Sequence, residues 1–520
     1  MIHTLSHTIE KGAKKFPFKD AFRFLNQSIN YTDLDTKANQ LALHLVNSGI
    51  KKGDRVGIYM NRCLETTIAV YGILKAGGVY VPLDSFAPTE RIAFLIEDCG
   101  IKHIISTKNQ SKKIIKLTTK GVNLDSVIGV SELDAISSFS WDFIFSISLE
   151  KYVPVTVLEQ DLAYILYTSG STGTPKGIMH THYSALSYAK LSADLYELHE
   201  KDILGNHAPL HFDVSTFGYF AGPLVSATTV IVSDAHTKMP ASLAELIEKE
   251  KISVWYSVPL ALIQILLNGS IEKKDMSHLR WVLFAGEVFP TKHLKALMKI
   301  WPQKKYSNIY GPTEVNQCTY YNLNTPPISD EPIPIGHVWK NTEYKILDTE
   351  DNEVSYGETG LLVIRSATMM KGYWNNKALT TKSLYKETIV PGVENVYYRT
   401  GDLVKYNEKG ELLFLGRIDN QVKIRGFRIE KDEIENTLLK NNEIKEAAVI
   451  VIEDENEKKL VASVILSKKS SLDIKDITSF CKKHLPVYAI PAVIKIQQEF
   501  PRTSSGKIDR KQIEKEFIKL

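Results

Sequence analysis

Residues Tyr167–Gly177 read Tyr-Thr-Ser-Gly-Ser-Thr-Gly-Thr-Pro-Lys-Gly and follow an apolar run at Leu162–Leu166. The apolar run predicts a short buried strand, and the glycines and hydroxyls after it predict a flexible polar loop. Glycine lets the backbone approach a ligand closely, while hydroxyls and a lysine supply the donors and positive charge that suit phosphate. The candidate phosphate-binding residues of this loop are Thr168, Ser169, Gly170, Ser171, Thr172 and Lys176.

The loop differs both from a Walker A loop and from an ordinary linker. A Walker A loop needs Gly-Lys followed by Ser or Thr, whereas here Pro175 precedes Lys176 and Gly177 follows it. A linker rich in Gly, Ser and Thr is the alternative interpretation. A linker has no reason to follow a strand and to precede a second apolar segment, so a phosphate-binding loop is favoured.

The composition is that of an ordinary globular protein and argues against several function classes. The chain has 520 residues, 43% of them hydrophobic, which is enough for more than one core. A formal net charge of +4 indicates neither a general nucleic-acid binder nor a membrane-surface protein. Met1–Phe18 lacks the apolar core of a signal peptide, and no run approaches the roughly 18 to 20 apolar residues of a membrane span.

The four cysteines are widely scattered, and none forms a Cys-x-x-Cys pair. This distribution argues against a zinc site and against a disulfide framework. It favours a reduced, cytoplasmic compartment.

The order of predicted elements indicates an α/β fold. An amphipathic helix is predicted at 31–47, a strand at Arg55–Met60, a helix at about Leu64–Ala76 and a strand from Val79. This βαβ alternation predicts mainly parallel sheets with helices on their faces. Beyond Glu331, shorter runs broken by glycine and charge predict an antiparallel or barrel-like subdomain.

Two domains are predicted. The first is a large N-terminal body over residues 1–416, and the second is a small mobile α+β domain over residues 417–520, joined by the polar stretch Gly416–Gln421. In the second, helices are expected near Lys431–Lys440 and at Ile474–His484, with strands between them. A unit of about 100 residues is within the usual size of an independent domain.

Four further motifs lie in order along the chain: Tyr310-Gly-Pro-Thr-Glu314, Tyr398-Arg-Thr-Gly-Asp402, Gly416-Arg-Ile-Asp419 and Thr503-Ser-Ser-Gly-Lys507. Together with the Tyr167–Gly177 loop, they resemble the motifs of the adenylate-forming superfamily. That superfamily includes acyl-CoA synthetases, luciferases and the adenylation domains of nonribosomal peptide synthetases. The resemblance covers nearly the whole chain, and the agreement of several ordered motifs is far more specific than any one of them.

The resemblance implies a nucleotide site that takes ATP and Mg²⁺. It assigns Tyr310 to stacking on adenine, Thr313 to the α-phosphate, Glu314 to the metal, Asp402 to the ribose hydroxyls and Arg417 to the nucleotide. The residue types fit these roles, because an aromatic ring stacks on a base and a carboxylate is a hard oxygen ligand for Mg²⁺. Each motif alone has a plainer interpretation as a turn or a solvated side chain.

The resemblance also implies roles for two residues of the second domain. Asp419 matches the hinge about which that domain rotates, and Lys507 matches the lysine that bridges the substrate carboxylate and the α-phosphate. Both reactants are anionic, so a cation between them is a principal requirement of the reaction.

Asp213, in His211-Phe-Asp-Val-Ser215, is the residue that distinguishes the class of acid. The resemblance assigns an aspartate here to the α-ammonium of an amino acid, whereas activators of fatty and aryl acids generally lack it. A carboxylate without a partner in an apolar pocket is costly, so its presence selects a substrate that carries an amine. The alternative is that Asp213 caps the helix that follows.

The other predicted pocket positions come from motif alignment, and they are Val214, Phe217, Tyr256, Leu283, Ala285, Ile309, Gln317 and Cys318. Two of them are bulky aromatics, which leaves room for a small or medium side chain. The segments around Tyr256, Leu283 and Cys318 are similar to those of free-standing ligases that load L-proline onto a carrier protein. Gln317 departs from that pattern, because an apolar residue is expected there.

The expected reaction is activation of an amino acid to its adenylate, followed by transfer to the phosphopantetheine thiol of a separate carrier protein. The carrier is expected to act in trans because the sequence shows no carrier motif after Lys507. Nucleic acid and membrane are not expected as partners. A D-alanine:carrier-protein ligase, an acyl-CoA synthetase and a non-enzymatic nucleotide-binding module remain the alternatives.

Overall fold

A computed structural model of the chain describes residues 2–133, 136–170, 173–454, 457–467, 470–502 and 508–518. Three of the predicted site residues, Ser171, Thr172 and Lys507, lie outside the described residues. The described chain forms a large N-terminal body of sheets and helices and a small C-terminal α+β unit.

The first large sheet carries the Ser/Thr-rich loop. Its inner strands pair in parallel, and antiparallel strands close the edge next to the loop. In spatial order the strands are Gly372–Tyr373, Lys176–Thr181, Leu162–Thr168, Val79–Pro82, Arg55–Tyr59, His103–Ser106, Ser126–Ile128 and Ser137–Phe139.

The second large sheet carries the Tyr310–Glu314 motif and also has parallel strands at its centre with antiparallel strands at its edges. In spatial order the strands are His337–Val338, Thr319–Leu323, Lys305–Tyr310, Trp281–Ala285, Val254–Ser257, Ile203–Asn206, Thr228–Ile231, Asp20–Phe24 and Gln27–Asn30. Strands buried on both faces of such a sheet are expected to be almost uniformly apolar, and Trp281–Ala285 is buried at every residue.

A third sheet of five antiparallel strands follows, where the sequence predicts an antiparallel or barrel-like subdomain. The strand Val393–Tyr406 pairs with three other strands of this sheet, and it carries Asp402 near its end. The strands of this sheet are Thr342–Leu347, Gly360–Ser366, Leu384–Val390, Val393–Tyr406 and Leu412–Arg417.

Helices cover the faces of the two large sheets. Tyr31–Asn47 lies where the apolar stripe predicts it, and it begins where the Asn30 side chain accepts a hydrogen bond from the Asp33 backbone N–H at 2.8 Å. The helices of the N-terminal body are Ser6–Lys15, Tyr31–Asn47, Glu65–Lys75, Thr89–Cys99, Ser111–Thr119, Trp141–Phe145, His182–Leu195, Gly222–Leu224, Pro240–Lys249, Pro259–Asn268, Thr291–Ile300 and Lys377–Lys382.

The C-terminal unit has its own core, which includes Ile434, Val449, Ala462 and Ile477. It begins with a two-stranded hairpin, Gln421–Ile424 and Phe427–Glu430, called here the C-terminal hairpin. The remaining elements of this unit are the helices Lys431–Leu439, Ile474–His484 and Arg510–Ile518 and the strands Ile444–Asp454, Glu457–Leu466 and Val493–Gln497.

The predicted fold class is confirmed: parallel sheets with flanking helices form the body, and a smaller α+β unit follows. The last strand of the third sheet, Leu412–Arg417, includes residues 416 and 417, between which the domain boundary is predicted. The position of that boundary stays a prediction. Among the described residues, no helix is long and apolar enough to cross a lipid bilayer.

Candidate active site

A cavity of about 500 Å³ lies where the two large sheets, the third sheet and the C-terminal hairpin meet. Predicted residues from four separate motifs line it, so the fold brings together side chains that are far apart in sequence. The predicted site residues in its wall are Thr168, Ser169, Asp213, Val214, Ala285, Thr313, Gln317, Asp402 and Arg417.

The Ser/Thr-rich loop (residues 169–175) is the tip of an antiparallel hairpin. The first strand extends beyond the predicted Leu166 to Thr168, the second begins at Lys176, and these two end residues pair with each other. A Cβ on Gly170 would lie 2.1 Å from the Thr174 carbonyl oxygen, so only glycine fits that close approach. The hairpin thus holds Lys176 beside Thr168, which lines the cavity.

Glu314 is fully buried and lies at the centre of a charged cluster. One carboxylate oxygen accepts a hydrogen bond from the Arg428 guanidinium at 2.7 Å. The other accepts one from the Tyr373 hydroxyl at 2.8 Å and lies 3.6 Å from the Lys176 ammonium. Burial alone would raise the pKa of Glu314, but Arg428 and Lys176 lower this pKa well below its ordinary value, so Glu314 is ionised.

Asp402 is held by the residues that the sequence assigns to nucleotide binding. It accepts hydrogen bonds from the Tyr310 hydroxyl and from the Arg417 guanidinium. Arg417 also donates two hydrogen bonds of 2.7 Å to the Asp419 carboxylate. The predicted ribose ligand, the predicted nucleotide arginine and the predicted hinge residue therefore form one continuous ion-pair chain.

Asp213 lies in the cavity wall, and its hydrogen-bond partners differ from those of Glu314 and Asp402. It accepts hydrogen bonds from the Val214 backbone N–H at 2.8 Å and from Thr313. Burial raises its pKa, and the Thr313 hydrogen bond and the Lys423 charge offset only part of that rise. Among the described residues, no Lys or Arg forms a salt bridge with it, and its side chain does not bond the N2 or N3 amide that a helix cap requires.

The remaining pocket residues form a buried layer behind the cavity wall. Phe217 and Tyr256 meet edge to face with ring centroids 5.4 Å apart, and the Gln317 amide donates a hydrogen bond to the Tyr256 hydroxyl. Five predicted pocket residues are buried in this layer and do not line the cavity: Phe217, Tyr256, Leu283, Ile309 and Cys318. The aromatic pair packs directly behind Gln317, which the Gln317–Tyr256 hydrogen bond joins to the cavity wall.

The C-terminal hairpin forms one wall of the cavity. Its turn, Arg425-Gly426, has positive φ at both residues, +55° and +79°, as a two-residue type I′ turn requires. A Cβ on Gly426 would lie 2.3 Å from Val258, and the Gly426 backbone N–H donates to Glu287 at 2.8 Å. Glycine is needed here because the turn presses directly against the N-terminal body.

Further contacts hold this hairpin and the helix after it in place. Phe427 packs edge to face on Phe212 with centroids 5.1 Å apart. The Ser169 hydroxyl donates to the Arg428 carbonyl oxygen at 2.8 Å. Arg91 and Glu433 form a buried salt bridge of 2.8 Å across the same boundary. The orientation of the C-terminal unit is therefore set by specific polar contacts with the cavity wall.

Comparisons with known proteins identify the family. The family model described as "AMP-binding enzyme" matches residues 9–374, and the model described as "AMP-binding enzyme C-terminal domain" matches residues 433–507. The chain belongs to the AMP-binding enzymes. The predicted superfamily is thus confirmed.

Curated relatives match this AMP-binding enzyme over almost all of its length. It is 30% identical over 512 residues to the L-proline--[L-prolyl-carrier protein] ligase of Pseudomonas fluorescens, covering 98% of this chain and 97% of that one. It is 34% identical to bacitracin synthase 1 of Bacillus licheniformis and 32% identical to tyrocidine synthase 2 of Brevibacillus parabrevis. Each match covers 98% of this chain, which spans only 9% and 14% of the lengths of those two synthases.

Solved structures share the fold. The Vibrio cholerae adenylation domain AlmE, in complex with glycyl-adenosine-5'-phosphate, superimposes with a TM-score of 0.86 at 23% identity and covers 100% of this chain and 98% of its own. The amide bond synthetase McbA from Marinactinospora thermotolerans also gives a TM-score of 0.86, at 19% identity, with 99% of each chain covered. At these identities the similarity establishes the fold alone.

The cavity of this AMP-binding enzyme suits a nucleotide and a magnesium ion. Asp402 and Thr313 face the same space as the Ser/Thr-rich loop, so ribose and phosphate contacts are available together. Among the described residues, no three His, Cys, Asp or Glu side chains cluster as a complete metal site. A single carboxylate, Glu314, fits Mg²⁺, because this ion usually takes one or two protein carboxylates and completes its shell with phosphates and water.

Two side chains in the cavity have no predicted role. Lys423 lies in the wall, close enough to Asp402 and Asp213 to be influenced by both charges, and burial lowers its pKa. Arg428 binds Glu314 directly. Both belong to Gln421–Arg428, which directly follows the predicted hinge residue, and the available signal was the concentration of three cations, Lys423, Arg425 and Arg428, in this short segment.

Proposed function

We propose that this chain activates an α-amino acid with ATP, forming the aminoacyl adenylate and pyrophosphate, and then passes the aminoacyl group to the phosphopantetheine thiol of a separate carrier protein. The observation that carries the proposal is Asp213, a half-buried carboxylate in the wall of the predicted nucleotide cavity, without a salt bridge to any described residue. An ammonium group supplies the charge and the donors that such a carboxylate needs. A fatty or aryl acid would leave it unpaired.

The first step joins a substrate carboxylate oxygen to the α-phosphorus of ATP and breaks the bond from that phosphorus to the pyrophosphate oxygen. Asp213 holds the α-ammonium and so aims the carboxylate at the α-phosphate, where Thr313 donates a hydrogen bond. Asp402 positions the ribose, and the Ser/Thr-rich loop with Lys176 holds the outer phosphates. Mg²⁺ bound at Glu314 would neutralise phosphate charge.

Lys507 is proposed as the cation between the two anionic reactants. Electrostatic stabilisation of this kind is worth most where charge develops and water is excluded. In the described structure the C-terminal hairpin, with Lys423 and Arg428, forms the wall of the cavity. We propose that this orientation belongs to the second step, in which the carrier thiol attacks the aminoacyl carbonyl carbon and AMP leaves.

The substrate is proposed to be a small or medium amino acid. The buried Phe217–Tyr256 pair closes the pocket, which limits the length of the side chain. L-Proline is one member of this class and is supported by the full-length similarity to an L-proline ligase. We propose a cytoplasmic location, where ATP and amino acids are both available.

The first experiment is amino-acid-dependent exchange of pyrophosphate into ATP, measured with every protein amino acid, D-alanine, and a few fatty and aryl acids. A clear maximum at an α-amino acid supports the proposal. Turnover only on a simple carboxylic acid, with transfer to free CoA, indicates an acyl-CoA synthetase, and a maximum at D-alanine indicates a D-alanine ligase. ATP binding without exchange on any acid indicates a binding module.

The hinge is tested with Asp419→Pro. Proline fixes φ near −65° and so prevents the backbone rotation that a hinge needs. Adenylate formation is expected to persist, while transfer to a phosphopantetheinylated carrier falls to background. Asp419→Ala is the matched control, because it removes the same carboxylate but leaves the backbone free. Equal loss of both half-reactions in Asp419→Pro, with transfer also lost in Asp419→Ala, would contradict a hinge.

A further inference from the structure

Gln317 is a polar residue in the wall of the amino acid side of the cavity. It is 3% exposed, and it lines the cavity together with Asp213, Val214 and Ala285. Its side-chain amide nitrogen donates a hydrogen bond to the buried Tyr256 hydroxyl. That contact engages the amide nitrogen and leaves the carbonyl oxygen, Oε1, as the end of the side chain without a protein partner among the described residues.

The Gln317 Oε1 atom has no hydrogen-bond partner among the described residues, although it is fully buried. A buried acceptor without a partner costs free energy, because it gives up its hydrogen bond to water without a replacement. Natural proteins satisfy the great majority of such atoms, through protein, water or ligand donors, and the position of Gln317 in the cavity wall makes a ligand donor the relevant one here.

The backbone next to Gln317 is strained, which supports a role for this position in ligand binding. Asn316, the residue before it, has φ +57° and ψ −82°, a conformation that a residue with a side chain rarely adopts. A Cβ on Gly311 would lie 2.5 Å from the Gln317 Cα, so the motif glycine makes room for this turn. Backbone strain that the surrounding structure maintains is concentrated at functional sites.

We infer that the amino acid activated here carries a hydrogen-bond donor on a short side chain, which the Gln317 carbonyl oxygen accepts. This inference rests on the proposed function and narrows its substrate class. A hydroxyl side chain, as in serine or threonine, satisfies Oε1 and fits above the Phe217–Tyr256 pair. L-Proline and the aliphatic amino acids have no side-chain donor and leave Oε1 unpaired.

The test compares pairs of amino acids of equal size in the pyrophosphate exchange assay. The pairs are L-threonine with L-valine and L-serine with L-2-aminobutyrate, and L-proline is measured beside them. The donor-bearing member of each pair is expected to have a kcat/KM higher by about tenfold or more, since its analogue leaves the buried acceptor unsatisfied. Exchange that is equal within each pair, or highest with proline, would overturn the inference while leaving the proposed function intact.

A matched variant tests the role of Gln317 itself. Gln317→Met keeps the length of the side chain but removes the acceptor, so the preference within each pair is expected to disappear. Tyr256→Phe keeps the acceptor and removes only the contact that orients it, so the preference is expected to fall less. Absence of exchange with every amino acid in the wild-type enzyme would instead refute the proposed function, and if Gln317→Met does not fold, the wild-type pairs decide the inference.

Discussion

The two sides of the cavity satisfy their polar groups in different ways. On the nucleotide side, Glu314 is paired with Arg428, and Asp402 is paired with Arg417. On the amino acid side, Asp213 has no salt bridge among the described residues, and one oxygen of Gln317 has no partner among them. Glu314, Asp402 and Gln317 are buried, whereas Asp213 is half-buried and open to the cavity.

This difference shows which ligand has to displace protein contacts. A metal ion or a ribose on the nucleotide side takes carboxylates that already hold guanidinium groups, and one of these groups comes from the C-terminal hairpin. An amino acid on the other side meets a carboxylate and a carbonyl oxygen that have no such partner to displace. We therefore propose that nucleotide binding is coupled to the position of the C-terminal unit through a direct ion pair, whereas that unit acts on Asp213 only through the more distant charge of Lys423.

The largest effect on both activity and stability is expected for Glu314→Gln. The variant loses the proposed metal ligand, so pyrophosphate exchange is expected to fall by about 1000-fold, the upper range for loss of one electrostatic contact in an active site. It also leaves the buried Arg428 without its counter-charge, so the free energy of unfolding is expected to fall by about 3 kcal/mol. Exchange kinetics and thermal unfolding measure the two effects.

The matched control for the stability effect is Asp351→Asn. Asp351 forms an exposed salt bridge of 2.6 Å with Arg399, far from the cavity wall. Exposed pairs contribute less than about 1 kcal/mol, so this variant is expected to unfold almost like the wild type. If the two variants lose the same stability, the buried Glu314–Arg428 ion pair stabilises the fold no more than an exposed one, which would contradict the expectation.

The second test, Asp213→Asn, acts on the amino acid side. The kcat/KM for the amino acid is expected to fall by about 100-fold, because a charge-assisted hydrogen bond to the α-ammonium is lost. The KM for ATP is expected to stay unchanged. In contrast with Glu314→Gln, the ligand-free protein is expected to be no less stable, since Asp213 has no described salt bridge to lose. A loss of stability with an unchanged KM for the amino acid would show a structural role instead.

The third test, Arg428→Ala, separates the two half-reactions. Arg428 is proposed to hold the C-terminal unit in the orientation for transfer, so transfer to the carrier is expected to fall by about 30-fold, the effect of one strong charged hydrogen bond. Pyrophosphate exchange is expected to change by less than about threefold, because this contact is released when the metal binds Glu314. Arg428→Lys keeps the charge and is expected to recover part of the transfer rate. Equal losses in both half-reactions would contradict the coupling.

The sequence predicts those features that depend on local pattern. The helix Tyr31–Asn47 follows from a stripe of apolar residues and a capping asparagine, and both act within a few residues. Asp213, Glu314 and Asp402 could be located because each belongs to a short motif. The fold places Asp213 and Asp402 in one cavity wall, and Glu314 lies behind that wall, bonded to Arg428 in it.

The features that the sequence does not predict depend on long-range contacts. Arg428 acquires its function only by meeting Glu314, 114 residues earlier in the chain, when the C-terminal unit takes one particular orientation. The pocket positions show the same effect. Motif alignment places Tyr256 and Gln317 together, but only the packing of Phe217 against Tyr256 shows that the aromatic pair lies behind the cavity wall and Gln317 lies in it.

The smallest expected effect is the pH dependence of amino acid binding. Burial raises the pKa of Asp213 above its ordinary value of 3.8, and the ammonium ligand requires the ionised form. As the pH falls below this raised pKa, Asp213 takes up a proton, and the KM for the amino acid is expected to rise by up to about tenfold per pH unit. Glu314 stays ionised over the same range, because Arg428 and Lys176 lower its pKa. Asp213→Asn should lose this rise, and a rise of equal size in both the variant and the wild type would assign it to another group.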